Sequence, residues 1–192
     1  MENKIDSILK FLKEIELLKT VTRHSWTSSG RQESVAEHSW RMAILSFILE
    51  EEFPDLDMKR IIEMILIHDI GEAYDGDYPA FRDQPKNKLE MEKKAVKKII
   101  SNLPNNLQNK IMGLWTEYNE CKTQEARLAK ALDKIEVLIQ HNEADIKTWE
   151  PEEYEANITH GKEYMNFNDF IKKFRERVDK QTIEKIKNNT KP

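Results

Sequence analysis

An all-α fold, a helical bundle of six or more helices, is what this sequence predicts, on three observations. Apolar residues recur every three or four positions through most of the chain, the period of a helix with one buried face. Glycine and proline number only 5 and 6 in 192 residues, about half their usual share, too few for the many turns of a β-rich chain. No segment reads as a convincing strand, and no repeat or linker divides the chain.

The elements follow in order. Ile5, Ile8, Leu9, Leu12, Ile15 and Leu18 share one face of a first helix. Thr20 to Gln32 is polar and reads as a loop, holding Arg23, Trp26, Gly30 and Arg31. Ser34-Val35-Ala36-Glu37 is a capping box ahead of an apolar run, so a second helix starts there and carries His38, Met42, Leu45 and Leu49 until Pro54. A third, the most apolar, runs from about Asp57 through Ile67 into His68-Asp69, with Gly71 as its expected end. Asp75 to Pro85 is a loop. Lys88–Ile100, Leu107–Tyr118 and Glu125–Ile146 are three further helices, the last apolar on several sides. Tyr154–Val178 supplies one or two more. Residues 1–179 thus form a single domain, and the polar tail, 180–192, is expected to fray.

Composition narrows the function. Thirty-one basic and 35 acidic residues leave a net charge of −4, which excludes a strongly basic nucleic-acid binder and a polybasic membrane patch. Neither GxGxxG nor GxxxxGK[ST] occurs, so no Gly-rich phosphate loop is present. Cys121 is the only cysteine, so an intrachain disulfide and a CxxC zinc site are both excluded. The N-terminus mixes charge into every turn and has no apolar h-region. A soluble, cytoplasmic protein is expected.

Three places break the local pattern, and such breaks tend to mark function. His68 and Asp69 end the most apolar helix. Asp133 lies inside a helix apolar on several faces, where a lone carboxylate is costly unless paired, protonated or bound to metal. His38 sits one turn from Ser34 and from Met42. Taken singly, each has a plain explanation: a histidine can cap a helix, and Asp133 can pair with Lys130 or Lys134. Together, two imidazoles and two carboxylates make a divalent-metal set.

That joint pattern, His38, then His68-Asp69 within the string His68-Asp69-Ile70-Gly71, then Asp133 on a later helix, resembles the H…HD…D signature of HD-domain metal-dependent phosphohydrolases. Glu33-Ser34-Val35-Ala36-Glu37-His38-Ser39, His68 through Glu72, Gly76-Asp77 and Leu132-Asp133-Lys134 resemble the 5′-deoxynucleotidase branch, which hydrolyses deoxyribonucleoside 5′-monophosphates. The resemblance spans roughly residues 5 to 175. It implies an HD-domain bundle and one divalent cation, typically cobalt or manganese in assay, held by His38, His68, Asp69 and Asp133, with open positions for water and a phosphate oxygen. Dinuclear relatives use further histidines between the HD pair and the final aspartate; none lies between 68 and 133, so one ion per chain is expected. The resemblance makes Glu72 and Asp77 catalytic, as the groups that handle protons at the attacking water and the leaving 5′-oxygen. It places Arg23 on the phosphate, which a guanidinium fork suits, and Trp26 on the sugar. In some members the two are adjacent, whereas here His24 and Ser25 intervene. Arg31 is a spare basic candidate. His24, His141 and His160 are assigned structural or surface roles, and the capping box accounts for Glu37. A homodimer is implied as well. The rival readings are an HD phosphohydrolase of another nucleotide, a nucleoside triphosphate or guanosine alarmone, and a catalytically silent nucleotide-binding helical module.

Overall fold

A computed structural model describes residues 2–79 and 81–189. Ala80 of the predicted loop and the last three residues of the predicted tail lie outside them. Nine α-helices stand in the described chain: α1 (Glu2–Ile15), α2 (Val35–Ile48), α3 (Met58–Ile67), α4 (Glu72–Asp75), α5 (Lys88–Ile100), α6 (Asn105–Glu120), α7 (Gln124–Glu143), α8 (Glu153–Thr159) and α9 (Asp169–Asn189). The twenty-residue α7 is the central beam, packed against α2, α3, α6 and α9. Its Leu128, Leu132 and Ile135 meet Met42, Ile61, Met64 and Ile65 from α2 and α3 in the main core. A second core joins Ile70 and Ala73 to Val96, Ile99, Ile100 and Trp115 of α5 and α6. The bundle is thus the expected one, with Asp133 on the seventh helix once the one-turn α4 is counted.

The caps explain where the helices begin. The Ser34 side chain accepts from the Glu37 N–H, and a Glu37 carboxylate oxygen accepts from the Ser34 N–H at 2.9 Å, so the capping box does start α2. Asp57 caps α3 through the Arg60 N–H, and Thr123 caps α7 through the Ala126 N–H.

Three expectations are corrected. The Thr20–Gln32 segment is not all loop. Thr22–Trp26 (β1) pairs antiparallel with Gln32–Ser34 (β2), Thr22 opposite Ser34 and Trp26 opposite Gln32. The ribbon turns at Gly30, whose φ of +84° suits a residue without a Cβ. Arg23 is therefore a buried strand residue and not an exposed loop side chain. The tail does not fray over its described part: α9 continues to Asn189, with Thr182 fully buried and bonded to Asn142 Oδ1, and the Lys185 ammonium bonded to the Asn142 and Ala144 carbonyls. Gly71, finally, is not a left-handed terminator, since its φ is −64°. A Cβ there would sit 3.0 Å from the Glu92 carbonyl oxygen of α5; Gly71 lets the two backbones approach.

Candidate active site

The centre is assembled from three elements. His38 is in the first turn of α2, His68 and Asp69 are in the turn after α3, and Asp133 is midway along α7. One donor atom from each of His38, His68 and Asp69 lie within 4.8 Å of one another. Asp133 joins through its Oδ1, 3.4 Å from His38 Nε2, and His68 Nε2 lies 2.9 Å from Asp69 Oδ2. Both histidines are oriented from behind. His68 Nδ1 donates to the Ile65 carbonyl at 2.7 Å, and His38 Nδ1 bonds to Glu136 Oε2 at 2.5 Å. Their Nε2 atoms are buried and face only the Asp69 and Asp133 carboxylates. Two buried imidazole nitrogens beside two carboxylates fit a divalent cation, and the carboxylate behind His38 is the usual support for a metal-binding imidazole.

The charges interlock. Burial works against ionising Asp133, but Lys134, 3.0 Å from Oδ2, and the two histidines hold it well below the usual carboxylate range. The Lys134 pairing foreseen as the plain alternative thus exists. Yet Lys134 and the Tyr118 hydroxyl, 2.8 Å away, both engage Oδ2 and leave Oδ1 toward His38. Burial opposes the charge on Asp69 too, but His68, Arg23 and His38 prevail and its pKa lies below the ordinary value. Burial and the Arg23 charge disfavour protonating His38, whereas Glu136 and Asp133 outweigh them and lift its pKa to about 9. A cation held at Nε2 would compete with that proton.

Beside the centre opens a cavity of about 470 Å³. Arg23, Glu72 and Asp77 line it, so the structure gathers all the expected site residues except Trp26. Arg23 Nη1 is 3.4 Å from Asp69 Oδ2, and its Nε is 3.6 Å from Glu33 Oε2. Burial disfavours the guanidinium charge, but Asp77, Asp69, Glu72 and Asp133 more than restore it and raise its pKa. Glu72 is buried, with Oε2 unpartnered; burial, Asp69 and Asp77 push its carboxyl well above the usual range. Trp26 is not part of the lining; it stands at the end of β1, and its carbonyl accepts from Gln140. Arg31 is also absent, because it pairs with Glu37 at the exposed rim of the ribbon.

Sequence reasoning missed Glu136 and Glu33. Glu136, one turn after Asp133 and set between Ile135 and Val137, was a detectable anomaly of the same kind as Asp133. Glu33 is buried beside Glu136, and both effects lift its pKa to about 7. His24 and His141, assigned structural or surface roles, both line the cavity. Lys88, Lys130 and Lys134 line it as well, the first paired with Glu92 at 3.4 Å and Lys130 lying over the Tyr118 ring.

A helical bundle holding a His, His-Asp and Asp centre at the floor of a cavity is the architecture of a metal-dependent phosphohydrolase. The family model described as HD domain matches residues 15–175, and the chain belongs to the HD-domain family. It is 36% identical over 145 residues to the 5′-deoxynucleotidase HDDC2 of Dictyostelium discoideum, covering 71% of this chain and 76% of that one. With the human 5′-deoxynucleotidase HDDC2 the identity is 34% over 140 residues, covering 71% and 68%. Among solved structures, a predicted metal-dependent phosphohydrolase from Magnetospirillum magnetotacticum MS-1 matches with a TM-score of 0.82 and 28% identity, over 95% of this chain and 97% of that one.

Proposed function

We propose that the chain is a 5′-deoxynucleotidase, cleaving deoxyribonucleoside 5′-monophosphates to the deoxyribonucleoside and phosphate. The observation that carries this reading is the pair of buried Nε2 atoms of His38 and His68, turned toward the Asp69 and Asp133 carboxylates at a cavity that Arg23, Glu72 and Asp77 also line. The curated relatives bear that activity in their names. One divalent cation per chain, cobalt or manganese in assay, would be held by His38, His68, Asp69 and Asp133. When bound, it polarises the phosphoryl group and lowers the pKa of water.

The chain's own groups do the rest. Arg23 has a buried Nε without a hydrogen-bond partner, and its fork orients the phosphate. Of Glu72 and Asp77, one takes a proton from the attacking water and the other returns one to the leaving 5′-oxygen. Lys134 and Tyr118 hold the Asp133 carboxylate in place. Of the aspartates in the loop before α5, Asp77 alone lines the cavity. Two of the three lysines there already face carboxylates, so the local charge suits a monophosphate better than a polyphosphate.

The test is phosphate release from ribo- and deoxyribonucleoside monophosphates, a nucleoside triphosphate and a guanosine alarmone, with several divalent metals. Fastest release from the deoxyribonucleoside monophosphates is the expected result; fastest release from the larger nucleotides would transfer the chain to another branch. Glu72→Ala and Asp77→Ala should keep the metal yet lose turnover by roughly 10²–10⁴-fold, whereas Asp133→Ala should lose both. Wild-type turnover in both acid variants would remove these residues from the chemistry, and no turnover by any form would leave a silent binding module.

The same reading includes a homodimer and a cytoplasmic setting. Ile5, Ile8, Leu9 and Leu12 of α1 and Trp40, Ile44, Phe47 and Ile48 of α2 are exposed. No described residue of α1 is buried, and a helix of that length is marginal on its own. A second copy related by a twofold axis would cover both stripes. Among the described residues no helix is long and apolar enough to cross a membrane. The unpaired Cys121 suits a reducing compartment, and the net charge of −4 favours a small substrate over nucleic acid.

A further inference from the structure

The cavity has a second polar end that the metal centre does not use. Ser25 follows Arg23 on the same buried face of β1, and its hydroxyl lies 3.0 Å from Nε2 of His141. His141 is buried on α7; its Nδ1 is 2.8 Å from Oδ1 of Asn157 on α8 and 3.4 Å from Oε1 of Glu153. Burial holds this imidazole below its usual pKa, so it carries one proton. That proton belongs on Nδ1, which faces a carboxylate oxygen as well as the amide. Nε2 then accepts from the Ser25 hydroxyl. The tautomer in turn sets the amide: Oδ1 of Asn157 takes the Nδ1 proton, and the NH₂ is left without an acceptor. Nδ2 is indeed buried and has no hydrogen-bond partner, in a side chain that forms part of the cavity wall. Buried donors are nearly always satisfied, and three residues here cooperate to hold one that is not.

Its position says what would satisfy it. Asp133 and His141 are eight residues apart on α7, two turns and about 12 Å along the axis. Val137 and Leu138, between them, also line the cavity, and Phe81 stands edge-on to His24 on another part of its wall. The order is phosphate chemistry, then an apolar stretch suited to a flat ring, then a lone donor. Ring nitrogens and carbonyls of nucleobases are acceptors at that edge.

We propose that Asn157 is a specificity-determining residue whose amide NH₂ donates to an acceptor atom of the substrate's nucleobase, with His141 and Ser25 as positioning residues that hold the amide in that sense. This rests on the reading of the substrate as a nucleotide. Because the donor is buried, a substrate part lacking an acceptor there leaves it unsatisfied, which is how such sites discriminate.

The experiment uses the metal-loaded full chain. Asn157→Asp keeps the side-chain shape and the oxygen that accepts from His141 but replaces the donor with an acceptor; Asn157→Ala removes it without adding charge, and thermal melts show that each variant is folded. Binding of thymidine and deoxyadenosine is measured by calorimetry, kcat and KM with their 5′-monophosphates, and inhibition with inorganic phosphate. In both variants nucleoside dissociation constants and KM should rise about tenfold, while kcat and phosphate inhibition stay within about twofold. Ser25→Ala should raise KM in the same direction, and Ser25→Thr, which retains the hydroxyl, should restore it. Unchanged nucleoside binding in both Asn157 variants overturns the proposal, as does a wild type that binds neither nucleoside or a loss of phosphate inhibition equal to the loss of nucleoside binding. The two readings fail separately. A wild type that binds nucleosides through Asn157 but releases no phosphate sinks the nucleotidase and keeps the base contact; turnover with binding indifferent to Asn157 does the reverse.

Discussion

Arg23 has two duties that a truncation would remove together. Its guanidinium is the proposed phosphate fork, and it also pairs with buried Glu33 and half-buried Asp69. Arg23→Ala should therefore cost stability as well as binding, about 3–5 kcal/mol for a buried pair left half-empty, not the about 0.5 kcal/mol of a loop position. Arg23→Lys keeps a charge but not the fork, so it should recover much of the stability while KM stays raised. Urea melts and kinetics on the two variants decide the matter; an Ala variant as stable as wild type would show that Glu33 and Asp69 do not need their partner. His141 gives a pH signature. Its folded pKa is depressed by burial, so the unfolded chain binds the proton more readily. The stability His141 contributes is present above its unfolded value of about 6.5 and is lost as pH falls below it. His141→Gln should then be less stable than wild type at pH 8, with the gap closing toward pH 5.5 in denaturant melts at the two pH values. A gap that widens on acidification reverses the assignment.

Among the elements, α2 was legible because its start is a local device. Ser34, Glu37 and His38 are neighbours in sequence, so cap and ligand are read together. Ser34→Ala should cost about 1 kcal/mol and, because His38 is in the first turn, also weaken metal uptake; calorimetric melts and metal titration check both. The β1–β2 ribbon was not legible. Thr22 to Trp26 shows no apolar alternation, and its pairing depends on a turn at Gly30 and on burial against α7. The last turns of α9 were missed for a related reason: Lys180 onward is polar by composition, yet Thr182 and Lys185 meet groups near the far end of α7. The proposed ligands His38, His68, Asp69 and Asp133 were legible as polar breaks in apolar runs. Ser25, His141 and Asn157 were not, because their roles exist only once β1, α7 and α8 are side by side.

For the whole molecule, the centre ties α2, the turn after α3 and α7 to one point. A ligand that binds only the folded state stabilises it by mass action, so a chelator should lower the melting temperature and cobalt or manganese should restore it. An unchanged melt after verified metal removal would mean that the bundle closes without the centre. The exposed stripes of α1 and α2 give the prediction at the largest scale. Trp40→Glu with Phe47→Glu should convert a dimer to a monomer in sedimentation experiments while leaving the cavity residues untouched. A wild type that sediments as a monomer at all concentrations would dismiss the twofold assembly.

The position of Asp133 and His141 on one uninterrupted helix has a consequence for how this gene can change. Substitutions between them alter side chains one at a time. Inserting or deleting a single residue would rotate everything beyond it by about 100°, swinging His141 away from Ser25 and Asn157 while Asp133 stayed in place. Lys134 and Glu136 apart, which brace Asp133 and His38, the stretch can drift in spelling but not in length, and among functional descendants of this chain the interval from that aspartate to that histidine should remain at eight.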